Sequence, residues 1–148
     1  MTYQRAEFAC AIAIFAAIVL LVGLASATRT LGSPIIWSLE IAQLMFAWLV
    51  MLSADLALQL NRHFALSLVL DNLPPRLRWG LELVNSLILL VFVAFLFVYA
   101  FRNAILMHPR LVGATQFNAS LIHASIPFGL ALMVRTLLVQ IWQHLQIR

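Results

Sequence analysis

Between Glu7 and Arg29 the chain has no charged side chain, and Phe8 to Ala25 alone is a run of 18 non-polar residues. At about 1.5 Å of rise per residue, a helix of that length covers roughly the hydrocarbon thickness of a bilayer. A water-soluble domain this small buries too little of its surface to hide such a segment, so it belongs in lipid. Three further apolar stretches follow, at about residues 35–60, 79–101 and 120–142, the third span of the set holding 19 uncharged residues from Leu83 onward. The chain is 64% hydrophobic and 9% charged, whereas soluble domains are about 45–50% apolar and about 25% charged. The sequence therefore predicts an all-α membrane protein. It forms one domain over residues 1–148, with four transmembrane helices whose first span is at about 6–27.

The breaks between spans are written in proline, glycine and arginine. Gly32-Ser33-Pro34 interrupts the chain after the first span, with Pro34 placed to start a helix where its missing N–H costs nothing. After Asn61-Arg62-His63 comes Phe64 to Leu73, apolar but too short to span, closed by Pro74-Pro75. The expectation is a short amphipathic helix at about 64–73 on the membrane surface, with Arg62, Arg76 and Arg78 holding lipid phosphates. Pro127 predicts a bend in the fourth span. Ala25-Ser26-Ala27 imitates a signal-peptidase site, but the apolar run exceeds the roughly 7–15 residues of a signal peptide's apolar core. Arg5, Arg62, Arg76, Arg78 and Arg148 fall on one side of this plan and Arg29, Arg102 and Arg110 on the other. The richer side is expected to be cytoplasmic, and with it both termini.

Several function classes fit poorly. The nine basic residues are all arginine and sit mostly at span ends, which marks topology and makes no nucleic-acid patch. The single cysteine, Cys10, excludes thiol–disulfide chemistry that needs a pair. Of His63, His108, His123 and His144, only His123 lies within a span, so two facing histidines for a haem are not available. No zinc-type cluster, activated nucleophile, phosphate loop or carboxylate pair is visible. The reading is a protein without cofactor or enzymatic activity.

Ionisable residues inside spans are costly and need partners. At 100° per residue, Trp37, Leu44, Trp48 and Asp55 lie within about 20° of one line on the second span, with Glu40 near it. This stripe is expected to face protein, in the chain's own bundle or in a partner. The opposite face, with Leu39, Ala42, Met45 or Phe46 and Leu49, looks plain. Depth along the helices predicts one charge cluster of Glu40, Arg102 and His123 at the outer end. It predicts a second of Asp55, Glu82 and Arg135, with Arg62 nearby, at the inner end. Acids neutralised by arginine would lock helices together; an acid with access to solvent would carry protons or sodium. The arginine supply favours the first.

The run Pro34, Trp37, Glu40, Phe46, Trp48, Ala54, Ala57, His63, Leu73-Pro74-Pro75 and Arg78 resembles the small membrane (DctQ-type) subunit of tripartite ATP-independent periplasmic (TRAP) transporters. Pro127-x-Gly129 followed by Leu132-Met133 is similar too. The close part covers about a third of the chain, and Ser53, Asp55 and Ala65 depart from the family pattern. The resemblance implies a non-catalytic subunit of the bacterial inner membrane, with a large membrane permease subunit and a periplasmic substrate-binding protein as partners. The large subunit carries the substrate and sodium sites and moves like an elevator during organic acid symport. The small subunit enlarges the stationary scaffold and helps form the docking surface, held among membrane lipids. A stand-alone four-helix proton-coupled exporter is the alternative; it needs an acid near mid-span, whereas Glu40 lies near a boundary and the first span has only Glu7 at its end.

Overall fold

The computed structural model describes residues 2–60 and 74–146. The expected surface helix at 64–73, together with Arg62 and His63, lies outside these residues. Five helices make up the rest: α1 Thr2–Thr30, α2 Trp37–Gln59, α3 Pro75–Leu106, α4 Ser120–His123 and α5 Ser125–Gln146. Four segments are long and apolar enough to cross a membrane: α1, α2, α3, and α4 continued by α5. The chain is an all-α membrane protein.

Helix ends show why the boundaries differ from those expected. α1 runs past Ala27 to a Schellman-type stop. Gly32 takes φ +83°, and its N–H and that of Ser33 donate to the carbonyls of Arg29 and Thr28 at 3.2 and 3.1 Å. That left-handed turn is cheap for glycine alone. Pro34 does not start α2: the helix begins at Trp37, after a turn in which Ser38 Oγ donates to the Ile35 carbonyl at 2.6 Å. α3 starts earlier than the hydropathy suggested, with Pro75 in its first turn and extended Pro74 before it. It also continues through Arg102 to Leu106.

The fourth span is broken at Ala124 rather than smoothly bent at Pro127. A proline ring collides with the carbonyl four residues earlier and offers no N–H to it; here that carbonyl belongs to His123. The break falls there, and Phe128 N resumes the helical ladder to Ala124 at 3.2 Å.

The helices form a row instead of a closed bundle. α1 packs on α2, α2 packs on α4 and α5, and these in turn pack on α3. α1 and α3 are thus the edges and expose apolar side chains such as Phe8, Phe15, Val91 and Phe95. The main apolar core joins α2, α3 and α5 through Leu58, Val93, Leu130 and Leu137, with Met51 and Phe97 against it. At the α2–α5 crossing Gly129 meets Met51, where a Cβ would lie 2.6 Å from Met51 Cβ. Small residues permit this close approach between membrane helices. Met51 pairs with Gly129, Asp55 with Thr136 and Leu58 with Gln140, so α2 runs parallel to α5, while the pairs Glu7–Gln59 and Trp79–His144 set α1 and α3 against them.

Candidate functional site

Polar side chains tie the row at both ends, and they are the candidate site residues. At the end holding the 31–36 and 107–119 connections, Glu40 reaches out of the first turn of α2 into the longer loop. Its carboxylate accepts the backbone N–H of Ala114 at 2.7 Å and of Thr115 at 2.8 Å, and the Thr115 hydroxyl. The loop is shaped for this. An isolated bridge pairs Leu111 with Asn118, Val112 N donates to Phe117 O at 2.8 Å, and Ala119 N to Arg110 O at 2.7 Å. Gln116 takes a positive φ of 53°. Gly113 leaves room for the carboxylate, since a Cβ there would sit 2.5 Å from Glu40 Oε1.

The cluster expected around Glu40 is therefore differently composed. Glu40 is held by a loop that hydropathy reading passed over, and Arg102 is exposed on α3. His123 Nδ1 accepts instead from Asn103 Nδ2 at 3.3 Å, joining α4 to α3. Trp37 is half exposed at 48%, whereas Trp48 is used within the fold. Its indole N–H donates to the Leu121 carbonyl at 3.2 Å, beside the helix break, and its ring lies 5.3 Å from that of Phe128. Leu44, on the same side of α2, is partly buried.

At the opposite end Asp55 is 1% exposed. Thr136 Oγ1 donates to its Oδ1 at 2.9 Å and Gln59 Nε2 to its Oδ2 at 2.7 Å. The same Gln59 amide donates to Glu7 Oε2 at 2.6 Å, so one side chain links α1, α2 and, through Asp55, α5. Gln140 Nε2 adds a bond to the Leu58 carbonyl at 2.9 Å. Arg135 sits at an exposed position of α5, one residue from the Thr136 that takes the Asp55 contact. Glu82 joins neither: Arg78 Nε pairs with it at 3.0 Å, and His144 Nδ1 lies 3.9 Å away. His144 stacks on Trp79 at 5.4 Å and donates from Nε2 to the Trp79 carbonyl at 3.2 Å, tying the start of α3 to the end of α5. Glu7 and Thr136, like Asn103, Thr115 and Gln140, carry no signal in the sequence pattern. Glu7 sits at a span end like any terminal charge, and a threonine among apolar residues signals nothing without the facing aspartate.

Thr136→Val is expected to leave Asp55 Oδ1 without its donor at constant side-chain volume. The cost is about 1–2 kcal/mol, since buried acceptors lose their desolvation in full but membrane side-chain bonds run weaker than that ceiling. Thermal unfolding in detergent measures it, and Thr136→Ser, which keeps the hydroxyl, is expected to recover most of the loss.

Among the described residues no three His, Cys, Asp or Glu side chains gather as metal ligands. The bonds from Glu7, Glu40, Trp48, Asn103, Thr136, Gln140 and His144 each join one helix or loop to another and hold the helices in register. No curated protein matches the chain. The family model for tripartite ATP-independent periplasmic transporters, DctQ component, matches residues 18–147. That stretch takes in α2, the Glu40 and Asp55 contacts and all of α3 to α5, though not Glu7, and on it the chain belongs to the DctQ family, the small component of a tripartite transporter that also has a large permease and a binding protein.

Proposed function

We propose that the chain is a stationary scaffold subunit in organic acid uptake across the bacterial inner membrane. It braces the immobile part of an elevator-type large permease and contributes to docking of the periplasmic binding protein, with both termini in the cytoplasm. The observation that carries the reading is the use made of the span acids. Asp55 is buried among donors from α2 and α5, and Glu40 is spent on the backbone of a loop. An acid so engaged holds helices together, while a coupling acid needs access and room to exchange its ion. Arg78 at the start of α3, with Arg76 beside it in sequence, suits contact with lipid phosphates on the terminal side.

The test is co-expression with the large permease of the same system. The two chains are expected to co-purify as a stoichiometric complex, and sodium-driven uptake in proteoliposomes is expected to need both together with the binding protein. Uptake or export by this chain alone would overturn the scaffold reading in favour of a stand-alone carrier.

A further inference from the structure

The fold leaves one stripe of α2 uncovered; of the face that looked plain in the sequence only Leu39 and Phe46 lie on it, while Ala42 is buried and Met45 and Leu49 are partly buried. Leu39, Gln43, Phe46, Val50, Ser53 and Ala57 follow one another in steps of four and three residues and are all exposed. Leu39 is 72% accessible, Phe46 57% and Val50 45%. The flanking faces of the same helix are taken. Ser38, Ala42 and Leu52 are buried, with α1 packed on the helix, and Trp48, Met51, Asp55 and Leu58 meet α4 and α5.

Two features separate this face from a wall against lipid. Gln43 and Ser53 lie about 9 Å inside the two ends of α2, yet neither side chain makes a hydrogen bond among the described residues. Hydrocarbon offers an exposed amide no partner, whereas a neighbouring helix does. Ser53 and Ala57 are also small, which lets another backbone come close, and the alternation of four and three residues is the spacing at which helices cross at shallow angles. The middle of the edge helices is different: α1 exposes Ile12, Phe15 and Val19, and α3 exposes Ile88, Val91 and Phe92. Those faces ask for acyl chains.

We propose that this face of α2 seats a membrane-spanning helix of the large permease, one that presents hydrogen-bonding groups to Gln43 and Ser53. The inference rests on the scaffold reading and gives it an address: the Trp48–Asp55 side of α2 is committed to the chain's own α4 and α5, so the partner takes the side opposite.

A photo-crosslinking residue, p-benzoylphenylalanine, placed at Phe46 or Val50 in the chain co-expressed with the large permease tests this. Covalent adducts with the permease are expected from both positions and not from Phe15 on α1 or Phe92 on α3. The double variant Gln43→Leu, Ser53→Leu is expected to reduce co-purified permease about ten-fold, as two lost interhelix bonds would, while its own unfolding temperature stays unchanged. A complex that forms while adducts arise only from Phe15 or Phe92, or adducts at 46 and 50 that join two copies of this chain, would overturn the proposed face and leave the scaffold reading standing. If the unmodified chain retains no permease at all, the scaffold reading fails and the face with it.

Discussion

Gly129→Val is expected to do more damage than any other single change in the apolar interior. Already the first atom of a side chain at this position would lie 2.6 Å from both Cβ and Cε of Met51. Cε belongs to a flexible thioether and can swing away, but Cβ moves only with the backbone of α2. Valine adds two branched methyls to that contact, so α2 and α5 must separate. The same crossing sets Asp55 against Thr136 and Trp48 against Leu121. Overpacking usually costs about 1–3 kcal/mol, and the loss of these bonds puts this variant at about 3 kcal/mol or above. Thermal unfolding in detergent is expected to show a large drop, and co-purification with the large permease to fall with it. Gly23→Ala and Gly80→Ala are the controls. Nothing lies within 4 Å of a Cβ at either position, so both are expected to be neutral. Helix propensity favours alanine over glycine, so equal loss in all three would mean that something other than the α2–α5 approach was being measured.

How far the sequence revealed this arrangement depends on the distance over which each signal acts. Hydropathy is a local sum, so the four spans were legible, while the start of α3 at Pro75, before the apolar run, was not. Ends set by backbone geometry were less so: the Gly32 turn lets α1 run on past Ala27, and the bonding of Ser38 to Ile35 delays α2 beyond Pro34. Helical periodicity located the Trp48–Asp55 stripe, but it cannot tell a face that meets its own bundle from one that meets another chain. Only the packing of α1 on one flank and α4 and α5 on the other divides α2 into covered and open sides.

Depth arithmetic failed for a different reason. It placed Glu40 level with Arg102 and His123, and Asp55 level with Glu82 and Arg135, and assumed that charges at one level meet. In a row of helices they need not. α4 and α5 stand between α2 and α3, which share little direct packing among the described residues, so level alone does not bring Glu82 on α3 to Asp55 on α2. Neutral donors, Thr136 on the adjacent α5 and Gln59 one turn along α2 itself, take the two carboxylate oxygens of Asp55. Likewise the carboxylate of Glu40 finds backbone N–H groups of a glycine-containing loop, a donor set that leaves no mark on side-chain composition. The family resemblance supplied the identity that geometry alone would not.

That loop offers the sharpest separation between a scaffold and a carrier. Glu40→Ala is expected to free residues 111–118, since two backbone N–H groups and the Thr115 hydroxyl lose their shared acceptor. Amide exchange there should accelerate at least about ten-fold while the helices keep their protection, a local opening without global unfolding. Glu40→Gln is expected to be nearly as disruptive despite its shape. Its amide keeps one oxygen, but the other carboxylate position becomes an NH₂ that must face a donor already in place, whichever way the group is turned. Gly113→Ala approaches the same result from the other side, by pushing a Cβ into Glu40 Oε1. All three variants should still assemble with the large permease, because the loop lies beyond the open face of α2, and should lose uptake mainly by weaker response to the binding protein. A carrier that used Glu40 for its ion would behave otherwise. Gly113→Ala, which leaves the carboxylate in place, would then retain most of its transport while Glu40→Gln lost all of it.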